Sequence, residues 1–120
     1  MTRELVLAVL LAIALTGFAL SRSVAAGVTV ARDTLVPTQG EPVPVLWVSP
    51  KDPRGTALLA HGITASKETL LCVAEALAAN GFECCVLDLP GHGESSTRSS
   101  RDAVGRAFAA GAEALLSSSG

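Results

Sequence analysis

The chain has 120 residues, of which 49% are hydrophobic and 17% are charged, and its formal net charge is −2. So apolar a composition with so small a net charge excludes a disordered chain and a basic nucleic-acid-binding protein. One Trp, three Phe and no Tyr argue against a surface that stacks nucleotide bases. The length allows one small domain at most.

The amino terminus has the pattern of a targeting segment. After Arg3 and Glu4, residues 5–20 form an uncharged and mostly apolar run, and small residues ending at Ala26 follow it. A helix over this run spans about 24 Å, short of the roughly 30 Å hydrocarbon core. The pattern favours a signal peptide over residues 1–26 that is cleaved after Ala26; a retained membrane anchor and a buried core helix are the alternatives. The first two would make residues 27–120 an exported domain, periplasmic or extracellular, or a membrane-anchored one.

Two strands are predicted at the start of the domain. Residues 28–33 alternate apolar and polar side chains, which is typical of a half-exposed strand. Residues 43–48 predict a second strand, in which Pro44 indicates either an edge or a strand start. Because a short turn-rich loop joins the two runs, they are expected to pair antiparallel.

A strand, a helix and a strand follow. Residues 56–60 and 82–88 predict the strands, and the helix between them has Ser66 as its expected cap and Asn80-Gly81 as its end. Such a unit makes its strands parallel, with a right-handed crossover. The apolar stripe of the helix is predicted at Leu70, Val73, Ala74, Leu77 and Ala78.

A last helix is predicted from near Ser100, with Asp102 in its first turn. Its apolar stripe is expected at Val104, Ala107, Phe108, Gly111, Ala112 and Leu115.

The chain contains three cysteines, Cys72, Cys84 and Cys85. Adjacent residues of a strand point to opposite faces, so only one of Cys84 and Cys85 can face the helix that carries Cys72. A disulfide from Cys72 to one of them is one alternative outside the cytoplasm, and it would leave one thiol over. The favoured alternative is that the cysteines are small buried hydrophobic residues, as free cysteines commonly are.

Two motifs follow the parallel strands and resemble a known family. His61-Gly62-Ile63 follows the first of these strands, and Asp88-Leu-Pro-Gly-His-Gly-Glu-Ser95 follows the second. Together they are similar to the amino-terminal half of an α/β-hydrolase. The resemblance implies an α/β fold with an antiparallel first pair, then a parallel βαβ unit. It also implies an oxyanion-hole turn, which maps to His61, Gly62 and Ile63 with the Ile63 N–H as donor, and a pocket loop, which maps to Asp88, Gly91, His92 and Gly93.

The two histidines and Asp88 allow other interpretations. His61 could be a general base, and His92 its neighbour or a metal ligand, but the resemblance makes both histidines structural. No Cys or carboxylate stands at metal-ligand spacing from them in the sequence. Asp88 could be catalytic, although a loop-ordering hydrogen bond is the favoured role. No metal and no organic cofactor is implied.

The resemblance implies hydrolysis of an ester, thioester, amide or related bond in a small-molecule or acyl substrate by a serine nucleophile. That nucleophile belongs in a Gly-x-Ser-x-Gly elbow, and no serine of the chain has this setting. The catalytic nucleophile, acid and base are therefore expected beyond Gly120, and residues 27–120 are expected to be the first part of a truncated hydrolase domain. The alternative is a small, non-catalytic exported or membrane-anchored binding domain.

Overall fold

A computed structural model describes residues 2–24 and 27–118, with side chains for residues 2–15 and 27–118. The expected cleavage site at Ala26 lies outside the described residues. The described chain contains helix α1 (Arg3–Val24), strands β1 (Thr29–Leu35), β2 (Val43–Ser49) and β3 (Gly55–Ala60), a 3₁₀ turn (Lys67–Leu70), helix α2 (Leu71–Ala79), strand β4 (Phe82–Leu87) and helix α3 (Arg101–Ser118).

The four strands form one mixed sheet in the order β1-β2-β4-β3. β1 pairs antiparallel with β2, and β3 pairs parallel with β4, as the sequence predicts. The sheet is completed by an antiparallel pairing of β2 with β4.

Pro44 lies at the start of β2, which is an inner strand, so the edge interpretation is wrong and the strand-start interpretation is right. A proline has no N–H to give to the ladder, but its carbonyl remains available. Here the Pro44 carbonyl accepts the Asp88 N–H at 2.9 Å, which extends the contact between β2 and β4 by one residue.

The sheet has a helix on each face. α3 covers a core that contains Val45, Cys85 and Leu87, and α2 covers a second core that contains Val48, Cys84 and Val86. Neighbouring residues of β4 thus supply opposite cores, as the period of a strand requires.

The cysteines differ in burial. Cys84 and Cys85 are fully buried, and burial is the main cause that raises the pKa of the Cys85 thiol to about 12. Cys72 is exposed on the outer side of α2, so the expectation that it is buried is wrong. All three thiols are free.

The helical segment after β3 departs from the predicted helix at its start. A 3₁₀ turn precedes α2, and the Ser66 side chain makes no capping hydrogen bond. A 3₁₀ turn advances three residues per turn instead of 3.6, so it shifts the face that later residues present. Val73 accordingly lies 48% exposed rather than in the core. Gly81 ends the segment at φ +93°, as predicted for a left-handed cap.

α3 begins where the sequence places it, because the Ser100 Oγ accepts the Ala103 N–H at 3.1 Å. Its buried face is built mostly from small residues together with Leu115, and Phe108 is exposed, contrary to the predicted stripe. Gly111 explains the difference: a Cβ there would lie 2.6 Å from the Leu58 Cδ1. At Gly111 the helix lies too close to the sheet for any side chain, whereas Leu115, one turn later, is buried.

The outer elements are strongly exposed. β1 is almost wholly exposed, rather than half-exposed as its alternation suggests. α1 covers most of the predicted leader, and it exposes many large apolar side chains, among them Leu7, Leu10 and Ile13. No helix in the described parts of the chain combines the length and hydropathy needed to cross a bilayer.

Candidate active site

Both loops that carry the predicted site residues leave the same edge of the sheet. Ala60, the last residue of β3, pairs with Leu87, the last residue of β4, so His61 and Asp88 emerge side by side. The rings of His61 and His92 lie 5.1 Å apart between centroids. The carboxyl edge of a parallel pair is where open α/β sheets bind ligands.

His61 links the two loops through both of its ring nitrogens. Its Nε2 accepts the Leu89 N–H at 3.0 Å, so the ring proton is assigned to Nδ1, which donates to the Gly62 carbonyl at 2.8 Å. The ring is buried. A neutral, buried histidine with both nitrogens occupied is not placed to take a proton from a substrate.

The hydrogen bond to Gly62 sets the orientation of the next peptide group. In a trans peptide the C=O and N–H point in opposite directions. Because the Gly62 carbonyl points inward to His61, the Ile63 N–H points away from it. Ile63 is 87% exposed, and its N–H has no hydrogen-bond partner among the described residues.

Gly62 itself is not required by the packing of the chain. A Cβ at this position would meet nothing within 4 Å, and the left-handed residue of the turn is Thr64, at φ +64°. The space beside Gly62 is open towards solvent at the mouth of the turn.

Asp88 orders both loops. Its side chain is fully buried; Oδ1 accepts the Lys67 N–H at 2.8 Å, and Oδ2 accepts the Glu94 N–H at 2.9 Å. The loop-ordering hydrogen bonds expected of this residue are therefore present. Gly93, at φ +53°, lies against the Asp88 carboxylate, with which any Cβ would collide.

The rest of the second loop, which runs from Asp88 directly after β4 to Ser100 before α3, is ordered by backbone hydrogen bonds and close contacts. Gly91, at φ +81°, donates its N–H to the Thr97 carbonyl at 2.7 Å, and a Cβ on it would lie 2.9 Å from the Ser99 Cβ. His92 is half-buried, and its Nδ1 lies 3.1 Å from the Pro90 carbonyl oxygen. The predicted pocket-loop residues thus lie together in one compact loop.

Lys67 is the residue that the sequence does not reveal. Its side chain is 1% exposed, and its Nζ lies 2.5 Å from Asp88 Oδ2, 2.8 Å from Glu94 Oε1 and 3.1 Å from Glu68 Oε1. One signal could have found it: a cation at the start of a helical segment opposes the helix dipole, so it needs carboxylate partners.

The charges of this cluster hold one another in their ionised forms. Burial by itself lowers the pKa of Lys67, but hydrogen bonds to Asp88, Glu94 and Glu68 outweigh it and raise that pKa. Burial likewise raises the pKa of Asp88, and the hydrogen bonds from Lys67 and the Glu94 N–H reverse this, so the Asp88 pKa is lowered.

Glu68 behaves similarly. Its burial raises its pKa, but hydrogen bonds from Ser66, from the backbone, from Lys67 and from Arg32 together lower the Glu68 pKa to about 2. In the described parts of the chain, no group of three His, Cys, Asp or Glu side chains is arranged to hold a metal ion.

Residues 57–115 match the sequence model of the alpha/beta hydrolase fold family. Three solved structures are similar. AbyA5 wild type has a TM-score of 0.56 and 26% identity, over 85% of this chain and 29% of that one. The epoxide hydrolase from an endophytic Streptomyces has a TM-score of 0.54 and 23% identity, over 77% of this chain and 27% of that one, and TT1662 from Thermus thermophilus has a TM-score of 0.50 and 31% identity, over 75% and 40%. No curated protein matches the sequence.

The chain spans between 27% and 40% of the length of these three structures. The family match falls on β3, α2, β4 and α3, the elements that build the edge described above. The sheet order, the two loops and these similarities together show that the chain has a partial α/β-hydrolase fold.

Proposed function

We propose that this chain is the amino-terminal portion of a serine-type α/β-hydrolase, and that the whole protein hydrolyses an ester, thioester, amide or related bond of a small-molecule or acyl substrate. The observation that carries the proposal is the Gly62–Ile63 peptide, whose carbonyl is bound by His61 and whose N–H points outward without a partner among the described residues.

In this proposal the Ile63 N–H is one donor of the oxyanion hole. A preorganised donor of this kind stabilises the negative charge that develops on the carbonyl oxygen in the transition state, and removing one typically costs about 3–4 kcal/mol. Packing within the chain does not require a glycine at position 62, because a Cβ there would meet nothing within 4 Å. In the proposal, Gly62 is a glycine because a side chain would obstruct the approach of substrate to the Ile63 N–H. Asp88, Gly91, His92 and Gly93 shape the neighbouring loop, which we propose forms the other side of the substrate pocket.

The nucleophile, base and acid are proposed to come from a segment outside residues 1–120. No serine of the chain lies in a Gly-x-Ser-x-Gly setting. The matched part of this chain covers only 27% to 40% of the similar structures, which are therefore about two to three times as long as this chain. Neither a metal nor an organic cofactor is part of the proposal.

We also propose that residues 1–26 direct the protein to a membrane, as a cleaved signal or a retained anchor. The support is the uncharged run of residues 5–20 and the exposure of its apolar side chains on α1. The catalytic domain would then act in the periplasm, outside the cell or at the membrane surface.

A fluorophosphonate probe tests the catalytic proposal. We expect the 120-residue chain to remain unlabelled, since an oxyanion donor without a nucleophile cannot be phosphonylated. The whole encoded protein should be labelled at one serine, in a Gly-x-Ser-x-Gly sequence encoded after codon 120.

Two results would contradict this proposal. Labelling of Ser66 or Ser95 in the 120-residue chain would mean that the site has been misassigned. A coding sequence that stops at codon 120, or a whole protein that the probe does not label, would favour the non-catalytic binding domain instead.

A further inference from the structure

Lys67 is charged, almost completely buried, and surrounded by carboxylates. Its ammonium has three N–H bonds and three carboxylate partners, Asp88, Glu94 and Glu68. Among the described residues, no buried side-chain nitrogen or oxygen lacks a hydrogen-bond partner. An ammonium that donates to Asp88 and Glu94 and is also paired with Glu68 is held in its charged form. It has no role as a base or as a nucleophile, so its function has to be sought in what it holds.

Lys67 holds the end of the segment that carries the Ile63 N–H. Its own backbone N–H donates to Asp88 Oδ1 at 2.8 Å, while its side chain binds Asp88 Oδ2. Lys67 thus donates hydrogen bonds to both oxygens of the Asp88 carboxylate, which also accepts the Glu94 N–H. The 61–67 segment is therefore tied to the second loop at its last residue.

The same segment is tied at its first residue by His61, through the Leu89 N–H. Between these two anchors lies Thr64 in the left-handed conformation, which a non-glycine residue adopts only when its surroundings impose it. The orientation of the Gly62–Ile63 peptide therefore depends on both anchors. Only one of them, Lys67, acts through charge.

The charge cluster extends to the antiparallel side of the sheet. Arg32 of β1 is bound to Glu68 at 3.0 Å and also to Glu94. The cluster then contains three carboxylates and two cations, drawn from β1, the 3₁₀ turn and the loop after β4. Lys67 is its buried centre, while Arg32 and Glu94 lie at its exposed rim.

We propose that Lys67 is a positioning residue for the oxyanion donor: its ammonium, clamped by Asp88, Glu94 and Glu68, fixes the 61–67 segment so that the Ile63 N–H is presented to substrate. The proposal rests on the proposed function for its catalytic consequence. It assigns to Lys67 no contact with substrate.

The test compares variants of the whole encoded protein. Lys67→Met keeps most of the side-chain length and removes the charge, and Lys51→Met makes the same change at an exposed turn residue. Glu94→Gln removes one rim charge at a side chain that is 59% exposed, so it keeps the experiment informative if Lys67→Met does not fold. Each variant is assayed with a short-chain p-nitrophenyl ester, at a temperature where circular dichroism shows it folded.

We expect Lys67→Met to lower kcat about 10- to 100-fold and Glu94→Gln about 3- to 10-fold, with KM changed less than threefold. These losses are smaller than the roughly 10²–10³-fold loss that removal of an oxyanion donor causes, because the variants misplace the donor without removing it. Lys51→Met should match the wild type. A merely structural Lys67 would lower the melting temperature and leave the kcat of the folded variant unchanged, and that result would overturn the proposal.

Hydrogen exchange measured by mass spectrometry separates this proposal from the proposed function. The backbone N–H groups of Ala65, Lys67 and Thr69 donate to Gly62, Asp88 and Ser66. They should exchange at least tenfold faster in Lys67→Met or Glu94→Gln, with β2 unchanged. If the wild type hydrolyses no ester, the proposed function fails. The exchange experiment does not depend on activity, so unchanged exchange in a folded Lys67→Met variant would overturn the role of Lys67 by itself.

Discussion

Asp88 and Lys67 are the two residues on which the carboxyl edge of the sheet depends most. Both are buried, and the Asp88 carboxylate accepts hydrogen bonds from the Lys67 ammonium and from two backbone N–H groups. Removing one partner of a buried ion pair leaves the other charge uncompensated, which typically costs about 3–5 kcal/mol. The pair is therefore more informative as a unit than either residue alone.

The pKa directions define the pH range in which the pair stabilises the fold. The folded-state pKa of Asp88 is lowered, so its contribution is present above its unfolded pKa and is lost as pH falls through the folded pKa. The folded-state pKa of Lys67 is raised, so its contribution is present below its unfolded pKa and is lost as pH rises through the folded pKa. Around neutral pH both contributions are complete.

Asp88→Asn should lower the free energy of unfolding of the whole encoded protein by about 3 kcal/mol at pH 7, because Lys67 loses its most buried partner. The loss should shrink on acidification, since the wild type then protonates Asp88 as well. Urea unfolding at pH 7 and at decreasing pH measures both effects. Asp52→Asn, the same change in an exposed turn, is the control; an equal effect in the two variants would contradict the assignment.

β3 is the element of the described sheet with the greatest consequence for solubility. It lies at one end of the strand order and pairs only with β4 among the described strands. No described strand pairs with its other side, and its sequence, residues 55–60, is mostly apolar and contains no charge. An exposed apolar edge of this kind is a template for pairing with another chain.

We expect residues 27–120, expressed without the leader, to aggregate or to behave as a molten species rather than as a soluble monomer. Thr56→Lys should reduce the aggregation because it places a charge on the exposed edge strand, whereas Thr38→Lys adds the same charge in a loop and should not. Sedimentation velocity and thermal unfolding measure the outcome. A sharp cooperative transition with monomeric mass in the unaltered segment would refute the expectation.

At the scale of the whole molecule, the chain joins two parts with different surfaces. Residues 29–115 form the mixed sheet and its two covering helices, with separate cores on the two faces. α1 instead presents apolar side chains such as Leu7, Leu10 and Leu11 to solvent. An exposed apolar surface of this kind marks a site that binds a protein or a membrane, which is the physical basis for proposing that residues 1–26 direct the chain to a membrane.

With a reporter fused after Gly120, the chain should be recovered with the membrane or in the exported pool. Leu10→Arg places a charge in the apolar run and should shift most of the reporter to the cytosol, because a charge opposes insertion. Val36→Arg, at an exposed position outside the run, should have no effect. Recovery of the unaltered fusion in the cytosol with an intact amino terminus would reject the targeting proposal.

Much of the fold is predictable from local sequence. Alternation and turn residues locate β1 and β2, Gly81 ends α2 in a left-handed conformation, and Ser100 caps α3. These features depend on backbone conformation and on hydrogen bonds between residues close in sequence, so a short window of residues contains what decides them. The motifs after β3 and β4 likewise predict that His61 and Asp88 lie at one edge, because parallel strands end on the same side.

Contacts between distant residues decided the rest. Lys67 is buried because Asp88 and Glu94 lie across the edge from it, and Phe108 is exposed because Gly111 brings α3 against Leu58. Sequence alone determined which strands and helices form and which loops share an edge, since these follow from local conformation and strand direction. Only the tertiary structure decided which face of each helix is buried and which charges meet, because packing distance and burial depend on residues that are far apart along the chain.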